Sequence, residues 1–126
     1  MVLDKSINVQ DCALSATQGR IINGGQSCIA AKRFIVPKFL AGEFSREMKK
    51  AFSALSVGDP MDSNTQIGPL ARKDLVLHLR EQVSRSMRMG AHVLFKHPHT
   101  PRKGFFYPPT ILTHIKPEMS VFAEET

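Results

Sequence analysis

The chain has 126 residues, of which 42% are apolar and 22% charged, a length and composition that predict one folded domain and exclude general disorder. Its formal charge of +6 raises the question of a nucleic-acid partner. The basic residues are scattered among acidic ones and no aromatic stacking motif is present, so we expect no nucleic-acid binding. Two cysteines exclude a disulfide framework, and no apolar run is long enough to span a membrane, so we expect no membrane contact. The first residues lack the features of a signal peptide, which makes the cytoplasm the expected location.

The first predicted element is a short helix at residues 7–20, with Asn8 as a plausible N-cap. Its apolar positions recur at the i, i+3, i+4, i+7 spacing of one buried face: Val9, Cys12, Ala13 and Ala16. This pattern places Cys12 on the apolar side, where a free cysteine usually behaves as a small hydrophobic residue.

The remaining predicted elements follow in the order strand, helix, helix, strand, strand. Pro37 ends the first strand, and Gly90 stands where the third helix would need a C-terminal cap. The bounds of these elements are residues 33–36, 38–56, 72–89, 92–95 and 110–115. The apolar run MSVFA near the end of the chain is expected to be a further strand. Strands separated by helices predict an α/β fold with a mostly parallel sheet flanked by helices.

The stretch NGGQSCIAAKRFIV places Cys28 just after two glycines. Glycines before a nucleophile let the chain turn sharply, so that the thiol and nearby backbone N–H groups face one pocket. Such N–H groups could stabilise an oxyanion while the thiolate attacks a carbonyl carbon. A packed cysteine beside a turn gives the same pattern, and the spacing alone leaves both interpretations open.

Two other groups of residues could form sites. His92, His97 and His99 lie close in sequence, but their spacing and the absence of cysteine ligands favour a solvated loop, so we expect no metal site. Glu125, the second of a glutamate pair, could hold the two hydroxyls of a ribose or act as a base. A solvated chain end explains the same residues.

Four blocks in order, NGGQSCIAAKRFIV, GDPMDSNTQIGPLARKDL, GFFYPPTILTHI and FAEE, resemble the aldehyde dehydrogenase superfamily. The resemblance extends from Val2 to Thr126. It is strongest to bacterial succinate-semialdehyde dehydrogenases and their relatives. The resemblance implies that residues 1–126 are part of a catalytic domain, with the cofactor-binding and oligomerisation parts outside this segment.

The same resemblance implies an NAD- or NADP-dependent oxidation of a small aldehyde or semialdehyde to its carboxylic acid. Cys28 would be the catalytic thiol, which forms a thiohemiacetal and then a thioester, and its backbone N–H would be one oxyanion donor. Glu125 falls where the family places the glutamate that holds the nicotinamide ribose. Some succinate-semialdehyde enzymes carry a substrate-binding arginine at the position of Ile22, so this contact is not carried over.

The family's general-base glutamate, its oxyanion asparagine and most of its dinucleotide site would lie upstream of this segment. We therefore expect the chain alone to lack turnover, because hydride transfer requires a held nicotinamide. A second hypothesis is a non-catalytic interaction module, which would pair with itself or with a homologue through exposed sheet edges.

Overall fold

The computed structural model describes residues 8–126. Three helices, a two-stranded sheet and a final short helix follow one another along the chain, and a single 3-10 turn at Ile22–Gly25 follows the first helix. The elements are α1 (Val9–Ile21), α2 (Ala41–Ser53), α3 (Lys73–Arg88), β1 (His92–Lys96), β2 (Thr110–Thr113) and α4 (Ser120–Ala123). The three long helices agree with the predicted ones to within three residues at each end, and the mixed α/β character is confirmed.

Helix α1 begins at the predicted cap. The Asn8 side-chain oxygen accepts hydrogen bonds from the backbone N–H groups of Gln10 at 3.0 Å and Asp11 at 3.3 Å. These bonds satisfy two of the donors that the first turn of a helix leaves without partners. Cys12 is half-buried and packs against the core, so its predicted place on the apolar side is confirmed.

The core forms where α1 packs on α2. Helix α1 buries small side chains, and α2 buries large ones one turn apart, so the two helices approach closely with their side chains interlocked. The Phe52 ring meets the edge of the Phe95 ring of β1 at a centroid distance of 6.4 Å. The main buried residues of this core are Val9, Ala13, Ala16, Phe44, Met48, Phe52, Leu55 and Ile67.

The prediction of a mostly parallel sheet is wrong for residues 8–126. Strands β1 and β2 pair antiparallel, with an irregularity between Val93 and Phe95, and an isolated parallel bridge joins Val57 to Ile67. A parallel pair needs a crossover connection, usually a helix, whereas β1 and β2 follow one another with only a loop between them. The predicted alternation of strands and helices therefore does not apply to this pair.

Two predicted strands are also absent from the described part of the chain. In the segment 33–36 a single residue, Ile35, forms a bridge. The MSVFA run contains α4, because the N–H of Glu124 donates to the Ser120 carbonyl at 2.8 Å and that of Phe122 to the Met119 carbonyl at 2.9 Å. A helix of four residues is too short to show a helical period in sequence.

The histidines do not all lie in a solvated loop as predicted. His97 is only 6% exposed, and its Nε2 atom lies 2.9 Å from the Leu55 carbonyl oxygen, whereas His92 and His99 are exposed. Within residues 8–126 no cluster of three or more His, Cys, Asp or Glu side chains is suited to hold a metal ion. None of the helices in that range is long and apolar enough to cross a membrane.

Replacing Phe52 with alanine is expected to lower the free energy of unfolding by about 3–5 kcal/mol, because the cavity would lie in the centre of the core. Urea denaturation followed by circular dichroism measures this change. The control is Leu77→Ala on the exposed face of α3, where we expect a loss below about 1 kcal/mol. Equal losses in the two variants would contradict this description of the core.

Candidate active site around Cys28 and Glu125

The predicted sharp turn before Cys28 is present. Asn23, Gly24 and Gly25 all have positive φ angles, of 50°, 62° and 83°. Glycine is the residue that adopts this region without strain. At Gly25 a Cβ atom would also lie 3.2 Å from the guanidinium of Arg20, so a larger residue would strain the backbone and press on that side chain.

Cys28 lies at the surface, in a turn closed by a hydrogen bond from the Ala30 N–H to the Ser27 carbonyl at 3.0 Å. The Ala31 N–H donates to the Gly19 carbonyl of α1, also at 3.0 Å, and fixes the turn against that helix. No regular helix begins at Cys28, so a helix dipole does not act on its thiol. Cys28 is thus an exposed thiol on a constrained turn.

Lys32 joins this turn to Glu125. Its ammonium donates to the carbonyl oxygens of Ser27 at 3.3 Å and Ala30 at 3.1 Å, and pairs with a Glu125 carboxylate oxygen at 3.0 Å. The structure therefore brings the two predicted site residues into one contact network through a residue that the sequence analysis did not select. A lysine four positions after the cysteine is the signal that could have indicated this link.

The segment after α4 is held by two arginines. Arg33 donates to the backbone carbonyls of Phe122 and Glu124, and its guanidinium lies 5.3 Å from the centre of the Phe122 ring. Arg20, at the end of α1, donates to the Thr126 carbonyl at 3.2 Å. Burial lowers the pKa of Arg20, and the negative charge of Glu125 acts in the opposite direction. These bonds fix the backbone on both sides of Glu125.

Gln82 of α3 also holds the segment after α4. It is only 2% exposed, and its amide nitrogen donates to the Glu124 carboxylate at 3.1 Å and to the Glu125 carbonyl at 3.0 Å. Ser120 donates to the Gln82 carbonyl at 3.1 Å, which ties α4 to α3. Gln82 is a second site residue that the sequence analysis missed, because a glutamine on a helix carries no pattern of its own.

A cavity of about 500 Å³ lies beside this network. Arg20, Lys32 and Thr126 reach its wall, but neither Cys28 nor Glu125 does. The rest of the lining is largely apolar and comes from α2, α3 and β2. The candidate site is therefore the exposed surface around Cys28 and Glu125, and the cavity is a neighbouring feature.

Comparison with known proteins identifies the family. Residues 1–126 match the sequence model of the Aldehyde dehydrogenase family. The chain belongs to this family. The resemblance drawn from the four sequence blocks is thereby confirmed.

Two curated relatives illustrate the similarity. A probable succinate-semialdehyde dehydrogenase (NADP(+)) of Synechocystis sp. is 42% identical over 123 residues, which are 98% of this chain and 26% of the relative. The succinate semialdehyde dehydrogenase (NAD(P)+) Sad of Escherichia coli is 41% identical over 111 residues, which are 88% of this chain and 24% of the relative. The chain thus spans about a quarter of the length of these relatives.

A solved structure supports the fold. The NAD+ complex of an aldehyde dehydrogenase from Bacillus cereus superposes with a TM-score of 0.90 at 24% identity, covering 98% of this chain and 25% of that one. At this identity the likeness concerns the fold alone. It confirms that the α/β arrangement is part of an aldehyde dehydrogenase fold.

The Gln82→Glu variant is expected to lower the free energy of unfolding at pH 7 by about 3 kcal/mol or more, because it buries a second carboxylate beside Glu124. Burial and the neighbouring charge raise the pKa of the new carboxyl in the folded state above the unfolded value of about 4.3. The loss is therefore absent below about pH 4 and grows as the pH rises toward the folded-state pKa.

Urea denaturation between pH 4 and 8 provides the measurement. The matched control is Gln18→Glu on the exposed face of α1, which we expect to change stability little at any of these pH values. A pH-independent loss in the Gln82 variant would mean that Gln82 does not lie against the carboxylate of Glu124.

Proposed function

We propose that residues 1–126 form the cysteine-bearing part of the catalytic domain of an NAD(P)-dependent aldehyde dehydrogenase, with Cys28 as the nucleophile. The observation that carries this proposal is the network in which Lys32 contacts both the Cys28 turn and Glu125. Family membership and the named activities of the two relatives at 41–42% identity support it.

The chemistry assigned to the chain begins at the Cys28 sulfur. It adds to the carbonyl carbon of the aldehyde, forming a carbon–sulfur bond, while the carbonyl oxygen takes up a proton to complete the thiohemiacetal. In this proposal the backbone N–H of Cys28 donates to that oxygen as it gains charge. A bound NAD(P) would supply the hydride acceptor; loss of hydride from the carbon and of the proton from the hydroxyl to solvent would leave a thioester on Cys28. Attack of water then releases the carboxylic acid and the free thiol.

Glu125 fits one contact with the cofactor. Its side chain is 71% exposed, and with one oxygen paired to Lys32 the other has no partner among residues 8–126. An exposed carboxylate oxygen of this kind can accept hydrogen bonds from ribose hydroxyls. The chain has no G-x-G-x-x-G pattern typical of a pyrophosphate site, so Glu125 is the single cofactor contact that we assign to it.

The substrate class we propose is a small aldehyde. Both relatives described above are named for succinate semialdehyde, which carries a carboxylate besides its aldehyde group. In this chain the exposed Ile22 occupies the turn six positions before Cys28 and offers no positive charge. We therefore assign aldehyde capture to this segment and no recognition of a substrate carboxylate.

Labelling with iodoacetamide tests the nucleophile on the chain itself. Cys28 is expected to react about tenfold faster than the half-buried Cys12, because access to the sulfur limits alkylation. Succinate semialdehyde should slow labelling of Cys28 in the Cys12→Ser variant, and by more than it slows labelling of free glutathione. Protection no greater than that of glutathione would indicate an ordinary surface thiol and contradict the proposal.

A chimaera tests catalysis, with this chain replacing the matched quarter of the Synechocystis relative. We expect NADPH formation from small aldehydes, and a loss of at least about a thousandfold in kcat for Cys28→Ser, because no other group can form the covalent intermediate. Cys12→Ser is the control and should retain activity. The unfused chain should form no NADH or NADPH, and equal effects of the two cysteine variants would overturn the assignment.

The interaction-module hypothesis stays a prediction. It requires a monodisperse homodimer or a complex with a homologue, and size-exclusion chromatography with light scattering measures the oligomeric state of the chain directly.

A further inference from the structure

We propose that Lys32 is a positioning residue that orients the peptide between Ser27 and Cys28 and couples this orientation to Glu125. The proposal rests on the proposed function, because it gives the Cys28 N–H a role at the substrate oxygen. It concerns how the chain's own residues hold that donor in place.

The ammonium of Lys32 is saturated. A lysine ammonium has three N–H donors, and Lys32 has three acceptors: two carbonyl oxygens, of Ser27 and Ala30, and one carboxylate oxygen of Glu125. Its side chain is 12% exposed, whereas that of Glu125 is 71% exposed. The ammonium is therefore largely shielded from solvent, and two of its three contacts are with the turn.

One of the three acceptors determines where the Cys28 N–H points. The Ser27 carbonyl and the Cys28 N–H belong to the same peptide unit, which is planar, so the two groups point in opposite directions. The bonds that the Ser27 oxygen accepts from Lys32 and from the Ala30 N–H hold this peptide plane in place. A charged donor on the carbonyl also polarises the peptide and strengthens its N–H as a donor.

Glu125 acts on this peptide through the same ammonium. Its own backbone is fixed by Gln82, which donates to the Glu125 carbonyl, so the carboxylate reaches Lys32 from an anchored position. Neutralising Glu125, as in Glu125→Gln, replaces a charged acceptor of Lys32 with a neutral one and changes the charge balance at the ammonium. The effect should reach the Cys28 amide only while Lys32 is present.

The experiment is a double-mutant cycle on the full chain with Lys32→Met, Glu125→Gln and both together. The first readout is the NMR resonance of the Cys28 amide proton, with the exchange rate of the Ala30 amide beside it. We expect Lys32→Met to shift the Cys28 resonance and to speed exchange at Ala30 by about tenfold, because the turn loses a charged donor. Glu125→Gln should give a smaller shift, which disappears in the Lys32→Met background.

The second readout separates positioning from general loosening of the turn. Alkylation by iodoacetamide creates no negative oxygen, whereas aldehyde addition does. Lys32→Met should therefore weaken the protection of Cys28 by succinate semialdehyde several-fold while changing its alkylation rate less than twofold. Lys38→Met removes one positive charge from an exposed lysine six positions further along the chain and should alter neither readout.

The outcomes are distinct for the two proposals. A Cys28 resonance that does not move in Lys32→Met, or equal effects of Glu125→Gln in both backgrounds, would overturn the positioning role. Absence of aldehyde protection in the unmutated chain would instead overturn the proposed function. If Lys32→Met fails to fold, Glu125→Gln at its exposed position still tests the link, and an unchanged Cys28 resonance in that variant rejects it.

Discussion

The site depends on the attraction between cationic side chains near the Cys28 turn and the acceptors of the last residues of the chain. Arg20, Lys32 and Arg33 all donate to the segment from Phe122 to Thr126. Without these bonds nothing in the covalent chain would keep a residue near position 28 beside one near position 125. The donors come from three parts of the fold: Arg20 from α1, Lys32 and Arg33 from the residues after the Cys28 turn, and Gln82 from α3.

The energy of this network is unevenly distributed. An ion pair whose carboxylate is exposed, as in Lys32–Glu125, contributes about 0–1 kcal/mol by itself, because solvent screens it and ordering two long side chains costs entropy. The less exposed side chains of the network contribute more to stability, because removing a donor such as Gln82 or Lys32 leaves carbonyl groups without partners. A site can thus keep Glu125 accessible to a ligand while the stability of its surroundings comes from side chains that the ligand does not touch.

The sequence predicted correctly those features, such as caps and turns, that depend on a few residues next to one another in the chain. Asn8 as a cap, the glycine turn before Cys28 and the end of α3 at Gly90, with its φ of 104°, are all decided within one or two turns of chain. The antiparallel pairing of β1 and β2 and the burial of His97 depend on residues distant in sequence. The contacts of Gln82 with Glu124 and Glu125, and that of Lys32 with Glu125, are of the same kind, since each joins residues 42 or more positions apart. The spacing of apolar residues along the chain carries no information about such contacts.

Cys28 and Glu125 are both exposed, whereas the side chains that hold them, Lys32 and Gln82, are not. In the proposed function the thiol reaches a substrate and the carboxylate reaches a cofactor. Both groups lie at the surface, so neither is fixed by burial. Their geometry has to come from groups behind them, and the structure supplies these as a low-exposure ammonium and a buried amide. Positioning by such groups costs little reorganisation when charge develops, because the donors already point in the required direction.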